Sequence, residues 1–162
     1  MSQNFAEELE TTLHKMLPLV KALNFHVEEA GQGYVKASMS QSPIVVNHFG
    51  VFHAGALYTF AETVGGAVVK DSLNLTDVTL INKRGEIKYR KVVKDKAVSE
   101  AYFAREDVER IEAEVEEKGK TEFAYTVNTG GRFETPEEFG KVVVRADPEG
   151  SQVQLRDVAR IE

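Results

Sequence analysis

The stretch Asn47-His48-Phe49-Gly50-Val51-Phe52-His53-Ala54-Gly55-Ala56-Leu57-Tyr58-Thr59-Phe60-Ala61-Glu62-Thr63-Val64-Gly65-Gly66-Ala67-Val68-Val69-Lys70-Asp71-Ser72 decides how this chain folds. A polar loop bearing a glycine runs into a long apolar segment. Leu57, Phe60, Ala61, Val64 and Val68 recur at helical spacing and mark the face that meets a core. Glu62 falls off that stripe, on the side of Gly55, Tyr58, Thr59 and Gly66. A helix over residues 54 to 72 is roughly 28 Å long, at 1.5 Å per residue, and needs a sheet to cover.

The loop presents the start of that helix. A helix N-terminus carries unpaired N–H groups and partial positive charge. Ala54, Gly55 and Ala56 have almost no side chain to block an approaching carbonyl, so an oxyanion would be stabilised there. Two turns on, Glu62 is placed to activate water or to attack directly. The pattern suits acyl transfer. Against it stands the plainer reading, in which Glu62 is a solvated helix residue and the glycines ease packing.

Asn47, Gly50, His53, Ala54, Gly55, Ala61 and Glu62 match the pattern N-x-x-G-x-x-H-G-G, five residues, A-[DE], over 16 positions. In this the chain resembles the hotdog-fold acyl-CoA thioesterases, the phenylacetyl-CoA-thioesterase-like branch in particular. The likeness covers residues 1 to about 128. It implies an α+β hotdog fold, with a long central helix wrapped by an antiparallel sheet. It also implies a homodimer or homotetramer with sites at the dimer interface, an acyl-CoA substrate, and no cofactor beyond the coenzyme A of the substrate. Carried over, Glu62 is general base or nucleophile, the Ala54 N–H polarises the thioester carbonyl, and Asn47 places the water. Gly55 N–H is a second oxyanion donor. His48, His53 and Tyr58 are expected near substrate, with His53 also bracing the loop. Lys83 and Arg84 are expected to meet the phosphates of coenzyme A. Ala54 departs from the usual Gly. Its N–H survives the change, but a demand for positive φ would count against it.

The composition bounds the rest. At 162 residues, 42% hydrophobic and 28% charged, this is an ordinary globular length and composition. No apolar run is long enough to span a membrane, and the N-terminus lacks the features of a signal peptide. With no cysteine there is neither disulfide nor thiolate chemistry, and a cytoplasmic location fits. A net charge of −6 argues against nucleic acid as partner. Lys83, Arg84, Lys88, Arg90, Lys91, Lys94 and Lys96 fall within 14 residues, and a Glu-rich run follows from Glu106 to Glu117. Solvated faces explain most of these. His48 and His53 lie in a loop with no acid placed beside them, so no metal site is expected.

Along the chain, Asn4 followed by Glu7 reads as a capping box opening a helix, with Pro18 ending or kinking it. His14 reads as surface. Phe25 begins an extended stretch, and Tyr34 to Met39 alternate as a strand after the turn Gly31-Gln32-Gly33. Val78–Ile81 and Glu86–Tyr89 read as strand around a bulge at Gly85, and Ala97–Ala104 as another. Arg105–Lys118 fits a helix through Val108, Ile111 and Val115, with Gly119 as its C′ residue. Thr121–Thr129 alternates once more.

The resemblance implies a hotdog thioesterase-like domain over residues 1–129, and 130–162 is a different text. Pro136-Glu137-Glu138-Phe139-Gly140-Lys141-Val142-Val143-Val144-Arg145 and the closing Leu155-Arg156-Asp157-Val158-Ala159-Arg160-Ile161-Glu162 resemble a porter-region fragment of RND multidrug efflux pumps. That piece holds none of a pump's membrane segments and implies no transport. It reads as strand Lys141–Arg145, turn Asp147–Gly150 and strand Val153–Ile161. The expectation is that Lys141–Arg145 supplies the last strand beside Thr121–Thr129, in a chain that reads as a natural recombinant, a frame error or an engineered chimera. Functionally the sequence reads as a thioester hydrolase. The alternatives are a non-catalytic acyl-CoA-binding module and a fusion with impaired activity.

Overall fold

The computed structural model describes residues 3–75, 78–130, 143–146 and 152–154. The chain divides into two units, Met1–Gly131 and Arg132–Glu162.

In the first unit, α1 (Gln3–Met16) turns Leu9 and Leu13 toward the core and buries Ala6. It already runs through Asn4, so Asn4 is not the cap the sequence suggested. His14 is no bystander either. Its Nε2 donates to the Phe25 carbonyl at 2.8 Å and ties α1 to the first strand. Pro18 does stop α1, because its ring lacks the N–H a continuing helix needs. It then opens the short α2 (Pro18–Ala22) as its first residue.

β1 (Phe25–Gly31) and β2 (Tyr34–Ser40) form an antiparallel hairpin in which Phe25 pairs with Met39 and Gly31 with Tyr34. Gly33 in its turn has φ +74°, and an added Cβ would stand 2.6 Å from the Phe103 carbonyl oxygen, so both backbone and space demand glycine. β3 (Lys96–Tyr102) pairs along β2, and β4 (Val127–Gly130) along β3, giving the order β1-β2-β3-β4. The covered face carries Val35, Ala37, Met39, Ala97, Ser99 and Ala101. Most of these are small, which lets a helix lie close. That helix is α3 (Ala54–Ser72), which packs on β2, β3 and β4. Its buried residues include Leu57, Phe60, Val64 and Val68, as the periodicity predicts, while Ala61 is only half-buried. α4 (Arg105–Lys118) buries Val108 and Ile111 and ends where Gly119, at φ 70°, donates to the Val115 carbonyl.

Two strand expectations need correction. Val78–Ile81 and Glu86–Tyr89 make no ladder among the described residues, and Ile81 is 76% exposed. Of Thr121–Thr129, only the end from Val127 is laddered. Alternation prepares a segment for a sheet, but a ladder also needs a partner backbone in register. Val127 stands opposite Ala101 and β3 ends at Tyr102, so the residues before Val127 run past the end of their partner strand.

In the second unit, β5 (Val143–Ala146) pairs antiparallel with β6 (Gln152–Gln154), Val143 opposite Gln154. This agrees with the hairpin read from the sequence as far as the described residues go; residues 155–161 of the expected second strand lie outside them. The partner described for β5 is β6. The expected strand beside Thr121–Thr129 also involves Lys141 and Val142, which lie outside the described residues, as does the turn Asp147–Gly150.

Candidate active site

The loop before α3 is held by its own backbone. Val46 and Phe52 form an antiparallel bridge, Asn47 N–H donates to the Val51 carbonyl at 2.8 Å, and His53 N–H donates to the Val45 carbonyl at 2.7 Å. Asn47 closes the tip. Its Oδ1 accepts from Phe49 N–H at 2.9 Å and from Val51 N–H at 3.4 Å. The role expected for Asn47 thus shifts. Its side-chain oxygen is spent on the loop, and only the amide NH2 remains for water or substrate.

His53 is the N-cap of α3. Its backbone is extended (φ −67°, ψ 134°) and its Nδ1 accepts from Gly55 N–H at 3.0 Å. The brace expected of His53 is present. The same bond corrects the expectation for Gly55, whose N–H is occupied and offers no second oxyanion donor. The Ala54 N–H makes no hydrogen bond among the described residues and faces the helix N-terminus free. Ala54 is not among the residues of positive φ, so its methyl group carries no backbone strain. Tyr89 anchors this end from outside, its hydroxyl donating to the Ala54 carbonyl at 2.8 Å.

Beside this turn lies a cavity of about 340 Å³. Leu19, Leu23 and Ile44 form an apolar wall, and His53, Gly55, Ala56 and Thr59 the wall on α3. Leu19 is 60% and Ile44 62% exposed, so the wall is open to a ligand. Thr59 turns its hydroxyl back to the Gly55 carbonyl at 3.0 Å, which leaves that side of the cavity without a free donor from Thr59.

Glu62 sits one turn beyond Thr59, half-buried, and its carboxylate has no hydrogen bond or ion pair among the described residues. Tyr58 lies four residues before it. The Tyr58 ring fills the space a side chain on Gly85 would need, with its Cζ 2.8 Å from where that Cβ would stand. On the other side of Glu62 the ring of Tyr125 fills the space above Gly65 in the same way. Burial pushes the Tyr125 phenol up, and the charge of Glu62 and the neighbouring Tyr58 add to the shift.

Tyr125 and Tyr89 were not picked out by sequence reasoning. The alternation of Thr121–Thr129 puts Phe123, Tyr125 and Val127 on one side and singles out none of them. The available signal was a hydroxyl in that apolar row opposite a helix glycine. The remaining expected residues stand apart. His48 is exposed and its ring lies 3.9 Å, centroid to centroid, from that of Phe49. Lys83 forms an ion pair with Glu122. Both are largely exposed, so the pair holds the ammonium weakly. The Arg84 N–H donates to Asn82 Oδ1 at 3.2 Å. Among the described residues no three His, Asp or Glu side chains gather as a metal site, and no helix is long and apolar enough to cross a membrane.

The family model of the domain of unknown function DUF4442 matches residues 6–147. The chain belongs to the DUF4442 family. Among solved structures, this DUF4442 chain is similar to PA5026 of Pseudomonas aeruginosa, named a probable thioesterase. They share 25% identity over 91% of this chain and 87% of that one, with a TM-score of 0.70. A protein of unknown function from Chlorobaculum tepidum has the same coverage and TM-score at 16% identity. The PaaI protein of the Escherichia coli phenylacetic acid degradation operon covers 60% of this chain and 69% of its own, with 14% identity and a TM-score of 0.51. These likenesses make the fold of the DUF4442 chain an α+β hotdog. A separate likeness, 61% identity over 31 residues, is to the multidrug resistance protein MdtF of Escherichia coli K12. It takes in 19% of this chain and spans only 3% of that protein.

Proposed function

We propose that this protein hydrolyses acyl-CoA thioesters. The observation that carries the reading is the pairing, on one helix, of the free Ala54 N–H with the uncommitted Glu62 carboxylate about two turns further on. The fold-wide likeness to a probable thioesterase supports it.

In the proposed reaction the thioester carbonyl oxygen takes the hydrogen bond of Ala54 N–H, within the positive end of the α3 dipole. Glu62 removes a proton from water, and the hydroxide attacks the carbonyl carbon. The tetrahedral oxyanion collapses, the C–S bond breaks, and the thiolate of coenzyme A takes the proton back from Glu62. Free acid and coenzyme A leave. The acyl group lies against Leu19, Leu23 and Ile44, and Lys83 and Arg84 meet the phosphates. No cofactor is needed. Active sites at the interface of a homodimer or homotetramer belong to the same proposal, as does a cytoplasmic setting without nucleic acid or membrane as partner.

The test is release of free thiol from a panel of short, long and aryl acyl-CoAs by the wild type and by Glu62→Gln. Turnover should fall by about 10³-fold or more in the variant, the loss of a general base with its positioning. Equal turnover by both proteins would end the assignment. One observation favours the second reading, an acyl-CoA-binding module. With Gly55 N–H held by His53, the described chain offers one oxyanion donor where two were expected. Tight acyl-CoA binding without thiol release would establish that reading instead.

A further inference from the structure

We propose that Tyr125 is a positioning residue for Glu62, donating its phenol O–H to the carboxylate across the notch left by Gly65. The inference rests on the thioesterase reading only in the use it gives Glu62.

The placement comes from packing. Tyr58, Glu62 and Gly65 follow one another on a single face of α3, at spacings of four and three residues. Gly65 has no side chain, and Tyr125 occupies the vacancy. A Cβ at Gly65 would stand 2.9 Å from the Tyr125 Cζ, the atom that bears the hydroxyl, and equally 2.9 Å from Val127 Cγ2. Residues three apart on a helix surface are about 5–6 Å from Cβ to Cβ. The charge of Glu62 is felt at the Tyr125 phenol, and a rotation of the Glu62 side chain would carry its carboxylate toward the phenol oxygen with the ring still in the notch. Neither group makes a hydrogen bond among the described residues, so both are available to each other.

The ring is also supported from behind. Phe123 lies 6.3 Å from Tyr125 between ring centroids, and Phe103 lies 5.7 Å from Phe123. The row positions the tyrosine without help from polar contacts. A phenol raised by burial and by a neighbouring carboxylate stays protonated at working pH, so it is a donor there.

Other groups reach this face from the elements around it. Tyr58 is turned toward Gly85, whose chain neighbours are Arg84 and Glu86. Lys83 is paired with Glu122, Tyr89 is bonded to the Ala54 carbonyl, and His53 is bonded to Gly55 N–H. Of these, none donates to Glu62 in the structure.

A donor to the charged form favours that form. Removing it should raise the pH at which Glu62 takes up a proton and leave the carboxylate less well aimed. The variant is Tyr125→Phe, which keeps the ring in the notch and removes only the oxygen. The readout is a carbon-detected NMR titration of the Glu62 carboxyl in the full chain, its resonance assigned by its loss in Glu62→Gln. The Glu62 midpoint should move to higher pH in Tyr125→Phe, with the thermal midpoint of unfolding little changed. In the hydrolysis assay the acid limb of kcat/KM should move the same way and kcat should fall on the order of tenfold, as for a hydrogen bond to a charged group. An unmoved Glu62 titration overturns the inference, whatever the activity. A moved titration together with a fully active Glu62→Gln would keep the contact and overturn the hydrolytic role of Glu62.

Discussion

At the residue scale, His53 decides which backbone donors the start of α3 can offer. Its Nδ1 satisfies Gly55 N–H and leaves Ala54 N–H free. Replacing a good N-cap acceptor by Ala costs about 1 kcal/mol, with a range of roughly 0.5–2. His53→Ala should lower the free energy of unfolding by that amount, read as a lower denaturant midpoint at unchanged slope. A loss well above that range would mean His53 does more than cap. The sequence showed the donors at this helix end but not their division. Helical spacing places Ala54 and Gly55 side by side, whereas the side-chain torsion of His53 settles which N–H is taken. Asn47 is a similar case. Its place in the motif was legible, but the turn of its Oδ1 into the loop depends on Gly50 and Val51 lying close.

At the scale of elements, the long helix and the β1–β2 hairpin could be read from periodicity. α3 spans Ala54–Ser72, the range read from the sequence, with the apolar stripe Leu57 to Val68 inside it. The strands expected on either side of Gly85 could not be settled that way, because alternation says nothing of whether a neighbouring edge is vacant. On the outer face of the sheet, β1 carries Glu28 between Lys96 and Lys36. Burial pushes the Glu28 carboxyl up. Hydrogen bonds from Lys96 and Ser38 and the charges of Lys96 and Lys36 outweigh it, and hold the group below the usual carboxylate range. The unfolded chain then binds the proton more readily than the folded one. The resulting stabilisation is present above the ordinary glutamate value, about 4.3, and is lost as pH falls through the lower folded value. Glu28→Gln should cost up to about 1 kcal/mol at neutral pH, since the group is partly exposed, and nothing once the wild-type carboxyl is protonated. A cost that is the same at both ends of the titration would assign the effect to packing.

At the scale of the molecule, the two units divide after Gly131, while the DUF4442 match runs on to residue 147, across the change of text read near residue 130. What a single chain could not reveal is assembly. The proposal of interface sites predicts a mass in solution of two or four chains. A monomer that still turns over substrate would remove the interface from the reaction. The bare segment from Val78 to Lys94 gives that question a second handle. It has no ladder among the described residues, and it holds Lys83, Arg84, Lys88, Arg90, Lys91 and Lys94. Trypsin cuts after such residues and needs backbone it can draw into its own cleft as an extended strand, which a laddered segment refuses. Among the described residues of a lone chain this stretch is therefore where nicking is expected first, between the helix that carries Glu62 and the strand that follows. In an assembly that lays a second chain over it, the same bonds would outlast the digestion, and the order in which peptides appear would record how the copies meet.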